Sequence, residues 1–547
     1  MTRAANRPQI SLLVLILLTA SVLLPGNSGL RALDWHEILV AQTASEMLQR
    51  NEFLVPRIAD EPRLKKPPLN YWLALAAHRV MGDPGTSHVS EFEARLPSLI
   101  SGLLLIVVTY GLGLQLSRDP RGGLIAAALT ASSLSLHTFS RSARPEMLYA
   151  LLCALMAFGL VWAVRRAMDG RSTVAAAALA WAAFGLALMT KGPQFPLLIL
   201  LGVVLALWLQ KPRLPLLKTL HPWMALAAMI LPLAYYGYIA FQFDDALSLW
   251  RSEMIQGDDV PFWYRPLRFY YPLMLVASLA PWLIFVGKMS VDVWKRREPI
   301  ALILTSCVLV ALVLVSFSGK LREHYTLPLV PLCTALMGWS ILRVFDSVSG
   351  KTAQSRRFNL LVWAQFALAG AITVTVIVKQ ASSIPESDQG IVTSYALAWL
   401  GMAVASYALA IAMLRRNLST AFAALVATVL LASGAYPWIG GWQSGFAQSA
   451  REFIQDMEAN LPEERVLYLD QGKHMLHFYY YYGKGNLEVL SLDNWQPSKD
   501  SDPVPYFITS LARIKDSGIE GKIIFQQQSN EADADDTRVV FQPSPGG

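Results

Sequence analysis

Charge is scarce in this chain, and what there is comes in short bursts between long apolar runs. Asp, Glu, Lys and Arg supply 16% of the residues and hydrophobic side chains 54%, where an average soluble domain is about 25% charged. That deficit excludes a water-soluble fold, because run after run reaches the roughly 20 apolar residues that a bilayer core requires. Cysteine is nearly absent as well. Cys153, Cys307 and Cys333 lie in apolar runs with no ligand spacing, so they form no disulfide framework and are small buried hydrophobes. The net charge of +7 is no argument for nucleic acid, since the basic residues sit at the ends of apolar runs, where they orient a chain in a membrane.

Thirteen candidate spans follow from these runs, at about 10–26, 96–116, 122–139, 146–164, 173–190, 194–210, 222–241, 269–287, 299–317, 325–344, 358–378, 392–413 and 418–436. The first, Ile10 to Leu24 behind Arg3 and Arg7, is expected to be a retained helix, because no clear small-x-small cleavage site follows it. With the N-terminus in the cytoplasm, every even-numbered connection also lies inside, and each is basic: Arg118 and Arg121; Arg165, Arg166 and Arg171; Lys211, Arg213 and Lys218; Lys288 and Lys295 to Arg297; Arg343, Lys351, Arg356 and Arg357; Arg415 and Arg416. The positive-inside bias therefore holds without a slip, and the odd count puts the C-terminus outside. The expected division is a membrane domain over 1–436 and an outer C-terminal domain over 437–547. Within the first, residues 27–95 form a long outer loop with helices at the membrane surface. In the second, Val466 to Leu469, Phe478 to Tyr482, Lys522 to Phe525 and Val539 to Phe541 are expected strands and Glu452 to Asn460 a helix, together a small α/β domain.

Five polar clusters fall on the outer side of that topology: Asp34-Trp35-His36-Glu37, Arg63-Leu64-Lys65-Lys66-Pro67-Pro68, Arg141-Ser142-Ala143-Arg144-Pro145-Glu146, Thr190-Lys191-Gly192-Pro193 and Ser318-Gly319-Lys320-Leu321-Arg322-Glu323-His324-Tyr325. Ionisable groups at a bilayer are costly unless paired or solvated, so they are functional candidates by default. Each has a plain structural alternative. Asp34 and Glu37 fit a helix cap, Lys65 and Lys66 fit snorkelling anchors, Arg144 and Glu146 a local ion pair, Lys191-Gly192-Pro193 an interhelix turn, and Lys320 to His324 interfacial anchors. Taken together, cations at the lipid boundary suit a phosphate or diphosphate head group. A carboxylate beside them suits a general base, and the cations then stabilise a departing phosphate.

In this order the residues resemble a family. Glu46-Met47-Leu48, Phe53 to Arg57 and Lys66-Pro67-Pro68-Leu69-Asn70-Tyr71-Trp72 resemble the first outer loop of lipid-carrier-dependent glycosyltransferases of GT-C architecture. The branch they are most similar to is the bacterial aminoarabinose (lipid A) transferases, with their protein O-mannosyltransferase-like relatives. Arg144-Pro145-Glu146-Met147, Thr190-Lys191-Gly192-Pro193, Pro261 to Tyr264 with Ala280-Pro281-Trp282, and Gly319-Lys320 with His324-Tyr325 and Leu327-Pro328-Leu329 extend the resemblance over about residues 30 to 340. It departs in two places: where relatives commonly show Asp-Glu, this chain has His36-Glu37, with Asp34 two residues earlier, and Lys65 stands where an acidic residue often precedes the lysine of Lys-Pro-Pro.

The resemblance implies a polytopic α-helical GT-C fold in a bacterial inner membrane, with the C-terminus periplasmic. The implied reaction is transfer of a sugar from a polyprenyl phosphate, undecaprenyl phosphate in bacteria, to a glycolipid such as lipid A, a glycan or a protein. It also implies Glu37 as base or acceptor-orienting group with Asp34 as its rival, and Glu146 as the second acidic site. Lys66, Arg144, Lys191, Lys320 and Arg322 would hold the donor phosphate, with His324 and Tyr325 beside them. Direct displacement with inversion is the expected course. A nucleotide-sugar donor is not expected, since no Gly-rich loop opens a helix. No cofactor is assigned and a divalent metal is left open; His474 and His477, three apart near Asp470, are the one candidate ligand pair. The rival reading is a flippase for a polyprenyl-linked glycan, which calls for broken helices near the midplane and charges reachable from both sides.

Overall fold

Backbone polar groups inside a bilayer have to be satisfied within the chain, so long apolar runs close into helices. The computed structural model describes residues 8–27, 31–59, 61–210, 214–255, 264–349, 364–365, 367–368, 370–371, 391–414, 417–439, 445–470, 473–484, 487–495, 505–527 and 537–544. Helix α1 (Pro8–Leu23) leads to the segment expected to form the first outer loop, which holds α2 (Trp35–Arg50), a two-stranded hairpin β1 (Arg57–Ile58) and β2 (Glu61–Pro62), and α3 (Leu69–Met81). Next come α4 (Glu91–Ser117), α5 (Pro120–Ala131), α6 (Leu134–Ser140), α7 (Pro145–Met168), α8 (Val174–Leu188) and α9 (Gln194–Leu209). The series continues with α10 (Leu216–Leu220), α11 (Met224–Gln242), α12 (Ala246–Ile255), α13 (Tyr270–Ser278), α14 (Leu283–Arg296), α15 (Pro299–Ser316) and α16 (Val330–Ser349), the last entered through a 3₁₀ turn at Glu323–Leu329. Two further apolar helices cover Ile391–Met413 and Leu418–Ile439.

Among the described residues, five helices are long and apolar enough to cross a membrane, or seven if each of two bent pairs is one crossing, and five shorter apolar helices accompany them. Every predicted span but one coincides with such a helix or pair; the exception, 358–378, lies mostly outside the described residues. Two predicted spans differ from straight rods. Within 122–139 the chain bends by 59° between α5 and α6, where Ser133 caps the new helix by accepting from Leu136 N–H. Within 269–287 it bends by 110° between α13 and α14. There Pro281 has no N–H with which to continue the helix.

The membrane helices share one apolar core that runs from Val22 to Leu430 and is centred on α4, α5, α7 and α16. Small residues permit the close approach. A side chain at Gly338 of α16 would strike Gly122 O of α5 at 2.8 Å, and one at Gly113 of α4 would strike Ala126 Cβ at 2.8 Å. In lipid, such packing replaces the hydrophobic drive that water supplies to soluble bundles.

The C-terminal residues fold around a five-stranded sheet. Its strands are β3 (Leu467–Leu469), β4 (Leu487–Val489), β5 (Tyr506–Ser510), β6 (Gly521–Gln526) and β7 (Arg538–Pro543), in the order β4-β3-β5-β7-β6. The β3–β4 and β3–β5 pairs are parallel; the β5–β7 and β6–β7 pairs are antiparallel. The strand expected at Phe478 to Tyr482 is instead the end of a helix, Lys473–Tyr482. Its buried Met475, Phe478 and Tyr479 have helical spacing, and this packing overrides the strand preference of an aromatic run. The sheet is not a separate body. One core contains Leu33, Ile38, Ala41 and Ala44 of the first outer segment together with Phe453, Ile454, Phe478, Tyr479 and Val540 of the tail.

Candidate active site

The site is assembled from residues at the ends of several helices. Asp34 caps α2: its Oδ1 accepts the N–H groups of His36 at 2.8 Å and Glu37 at 2.9 Å, and Glu37 Oε2 accepts Asp34 N–H at 2.9 Å. This reciprocal capping box sets the pitch of the first turn. Glu37 then turns inward. Arg95 Nε reaches its Oε1 at 2.8 Å and Arg95 Nη2 its Oε2 at 3.1 Å, while Arg31 Nη2 and Ala143 N–H donate to Oε1 at 2.8 and 2.9 Å. The Glu37 and Arg95 side chains are both 0% exposed. Burial by itself would raise the carboxyl's pKa, but the Arg95 and Arg31 guanidiniums overcome it and hold the group at about 2. With both oxygens occupied, Glu37 is a fixed anion that ties α2, α4 and the loop before α7 together.

Asp34 is the more accessible carboxylate, at 32% side-chain exposure, and its Oδ2 accepts from Arg144 Nη2 at 3.1 Å. Arg144 caps α7, Pro145 occupies the first helical position and Glu146 the first turn, an arrangement that the fixed φ of proline favours. Glu146 Oε1 receives Lys191 Nζ at 3.0 Å and lies 3.8 Å from His324 Nε2. Lys191 also stands 5.5 Å from the centre of the Tyr325 ring, which stacks on Tyr271 at 5.9 Å. Lys191 owes its place to the turn between α8 and α9, where Gly192 has φ +115° and its carbonyl accepts from the Tyr149 hydroxyl at 2.8 Å.

The remaining expected residues surround this row. His324 is within electrostatic reach of Lys66, Arg144, Lys191 and Glu146. His36 is within reach of Arg144, Asp34, Glu146 and Arg322. Lys320 joins through its main-chain carbonyl, which accepts from the Tyr271 hydroxyl. All five sequence clusters thus converge. Two buried polar atoms in the row, Arg144 Nε and Glu146 Oε2, have no hydrogen-bond partner. One is a donor suited to a phosphate oxygen, the other an acceptor suited to a hydroxyl or ammonium. Among the described residues, no three His, Cys, Asp or Glu side chains gather as a ligand set. His477 packs edge-on against Trp35 with centroids 4.6 Å apart, and Asp470 is bonded within the tail to Leu492 N–H and Thr509.

Sequence reasoning missed Arg95 and Arg31, and gave Arg141 of the third cluster no role. Arg141 Nη2 donates to Val22 O at 2.9 Å and Ser433 O at 3.0 Å, joining three parts of the chain. The available signal for Arg95 was an arginine in the second turn of α4, Ser90-x-x-Glu93-x-Arg95, just ahead of the apolar run, where a buried cation requires an anion.

This architecture, several apolar helices with a charged cluster at their ends and a C-terminal sheet, defines the class: a multi-pass membrane protein of GT-C fold. The family model for dolichyl-phosphate-mannose-protein mannosyltransferases matches residues 65–236. In fold, the chain is similar to ArnT from Cupriavidus metallidurans bound to undecaprenyl phosphate, with TM-score 0.75, 15% identity and 99% of each chain covered. The apo form of that protein gives 0.73 at 16% identity over 98% of each. In sequence, it is 26% identical over 365 residues to the undecaprenyl phosphate-alpha-4-amino-4-deoxy-L-arabinose arabinosyl transferase of Yersinia pestis (strain Pestoides F), covering 65% of this chain and 63% of that one. The chain therefore aligns with just under two thirds of the length of that curated relative. By sequence and fold together it resembles the lipid-carrier glycosyltransferases, and among them the aminoarabinose transferases.

Proposed function

We propose that this protein transfers a sugar from a polyprenyl phosphate, with undecaprenyl phosphate as the carrier, to a glycolipid acceptor of the lipid A type at the periplasmic face of a bacterial inner membrane. The observation that carries this reading is the outer row of Arg144, Glu146, Lys191 and His324, with one donor atom and one acceptor atom buried and unsatisfied. The similarity to a protein solved with undecaprenyl phosphate supports it. In this reading Arg144, Lys191, Lys66, Lys320 and Arg322 hold the carrier phosphate, and Glu146 holds the sugar side of the donor. The acceptor oxygen attacks the anomeric carbon as the carrier phosphate leaves, inverting that centre. Cations already in place stabilise the charge that develops on the leaving oxygen. The acceptor's proton leaves at the amino end of α2, where Asp34 is the reachable carboxylate and Glu37 the anchor beneath it.

The flippase alternative gains nothing from the two bent helix pairs. Their breaks, Ser132-Ser133 and Leu279 to Trp282, carry no ionisable side chain, and the charged cluster is one-sided.

The test is an assay of the full chain in liposomes with radiolabelled undecaprenyl-phosphate sugars and membrane extract as acceptor. Lys191→Met and Arg144→Gln should each reduce kcat/KM for the carrier by roughly 10²-fold, the scale of losing one preorganised charge contact. Labelled carrier crossing the bilayer without transfer would replace this reading with the flippase.

A further inference from the structure

Four groups at or near the amino end of α2 could take a proton, and three of them are already committed. Both Glu37 oxygens are taken by Arg95, Arg31 and two main-chain N–H groups. Asp34 Oδ1 caps the helix and Oδ2 pairs with Arg144. Glu146, at the head of α7, gives Oε1 to Lys191 and His324, and its Oε2 is buried away from water. The fourth, His36, is different. It is exposed on the first turn of α2, and neither ring nitrogen has a hydrogen-bond partner among the described residues.

Its surroundings come from three directions. Asp34 lies on its own element, Arg144 and Glu146 at the start of α7, and Arg322 on the approach to the 3₁₀ turn before α16. Partial burial and then Arg144 push its pKa below the ordinary 6.5, with Arg322 adding to this and Asp34 and Glu146 opposing it. At neutral pH the ring is therefore uncharged and has a lone pair to offer, while the two carboxylates nearby stabilise the imidazolium once it forms. This is the protonation state and charge setting that a general base requires.

We propose that His36 is the general base of the transfer reaction, taking the proton of the acceptor's attacking oxygen, while Asp34 caps α2 and holds Arg144. This rests on the transferase reading above. The acceptor O–H proton passes to a ring nitrogen of His36 as the oxygen forms its bond to the anomeric carbon. The bond from that carbon to the carrier oxygen breaks, and its electron pair stays on the carrier phosphate. The imidazolium then returns its proton to water, to which the exposed ring has access.

The test uses the full chain in liposomes, with radiolabelled undecaprenyl-phosphate sugars as donor and membrane extract as acceptor. His36→Gln should lower kcat by roughly 10²-fold or more, the range for losing a general base, with KM for the donor unchanged because the phosphate-holding cations are intact. The wild-type acid limb of kcat/KM, where rate falls as pH drops through the lowered His36 pKa, should disappear in His36→Gln. In His36→Ala, added imidazole should restore transfer in proportion to its neutral form, which no purely structural role would produce. If His36→Gln stays within threefold of wild type with the acid limb intact, or if imidazole fails to rescue a folded His36→Ala, another group takes the proton and the transferase reading survives alone. If the wild type transfers none of the sugars, both readings fall.

Discussion

At the scale of single residues, the outer site rests on an ion pair that is entirely buried. Two unexposed side chains of opposite charge, Glu37 and Arg95, meet by two hydrogen bonds. Such a pair is poor evidence of net stabilisation, but removing one partner leaves a buried charge with nothing to balance it, at a cost of about 3–5 kcal/mol. Glu37→Gln is therefore expected to lower the thermal midpoint in detergent sharply, and Glu37→Gln combined with Arg95→Met should recover part of the loss. A loss in the double variant equal to the sum of the Glu37→Gln and Arg95→Met losses would mean that the two side chains act independently. The sign of the pH dependence follows from the depressed pKa. The Glu37 contribution is complete above the ordinary value of 4.5 and is lost as pH falls toward about 2. An acid titration of the midpoint should show this loss in wild type and less of it in Glu37→Gln. The candidate residues were legible because charge in an apolar sequence is conspicuous. Which carboxylate is spent and which is reachable was not legible, since Asp34 and Glu37 are three residues apart and differ only in what the fold brings to them. The partners of Glu37 lie 6, 58 and 106 residues away, and no local spacing encodes that.

At the scale of elements, the sequence carried most of the local geometry. Asp34 with Glu37, expected as a helix cap, is a capping box in the structure, as is Ser90 with Glu93, and Lys191-Gly192-Pro193 is a turn in both. That turn tests whether backbone shape sets the site. Gly192 sits at φ +115° with open space around the position a Cβ would take, so Gly192→Ala meets no clash and only backbone strain, about 1 kcal/mol or somewhat more. The fold should survive the change while Lys191 moves off Glu146. The expected result is a nearly unchanged midpoint with a clear loss of transfer, and unchanged transfer would mean that the turn does not fix the lysine. The helix Lys473–Tyr482 was misread as a strand because aromatic residues favour strands when nothing else decides. Here the partner decides. Tyr481 donates its hydroxyl to Val89 O at 2.9 Å, and Tyr482 accepts from Leu33 N–H at 2.9 Å. Tyr481→Phe should cost about 1–3 kcal/mol, the penalty for leaving the Val89 carbonyl buried and unpaired, measured as a fall in the midpoint.

At the scale of the whole molecule, the tail and the first outer segment are one structure although some 400 residues of chain separate them. The division expected at residue 437 follows a real change in composition, since apolar helices give way to a mixed sheet. Composition reports the solvent around each segment; it does not report which surfaces are shared. The tail's Phe453, Ile454 and Phe478 are packed into the same core as Leu33, Ile38 and Ala41, and Arg451 pairs with Glu91 at 3.6 Å. That core includes Leu33 and Ile38, and Trp35, between Asp34 and His36, packs against it. A chain ending at residue 439 would expose the buried face of α2 to water, at a cost of about 25 cal/mol for each Å² of apolar surface uncovered. It would also remove the hydroxyl that receives Leu33 N–H one residue before the Asp34 cap. Such a chain should fail to run as a single species in size-exclusion chromatography in detergent, or run with a strongly lowered midpoint, and should have lost transfer. If it instead remains monodisperse with the wild-type midpoint and loses only activity, the tail would act on the acceptor rather than on the fold, and the Tyr481→Phe penalty should then be absent as well. The two measurements check each other, because a shared core predicts both losses and an appended sheet predicts neither.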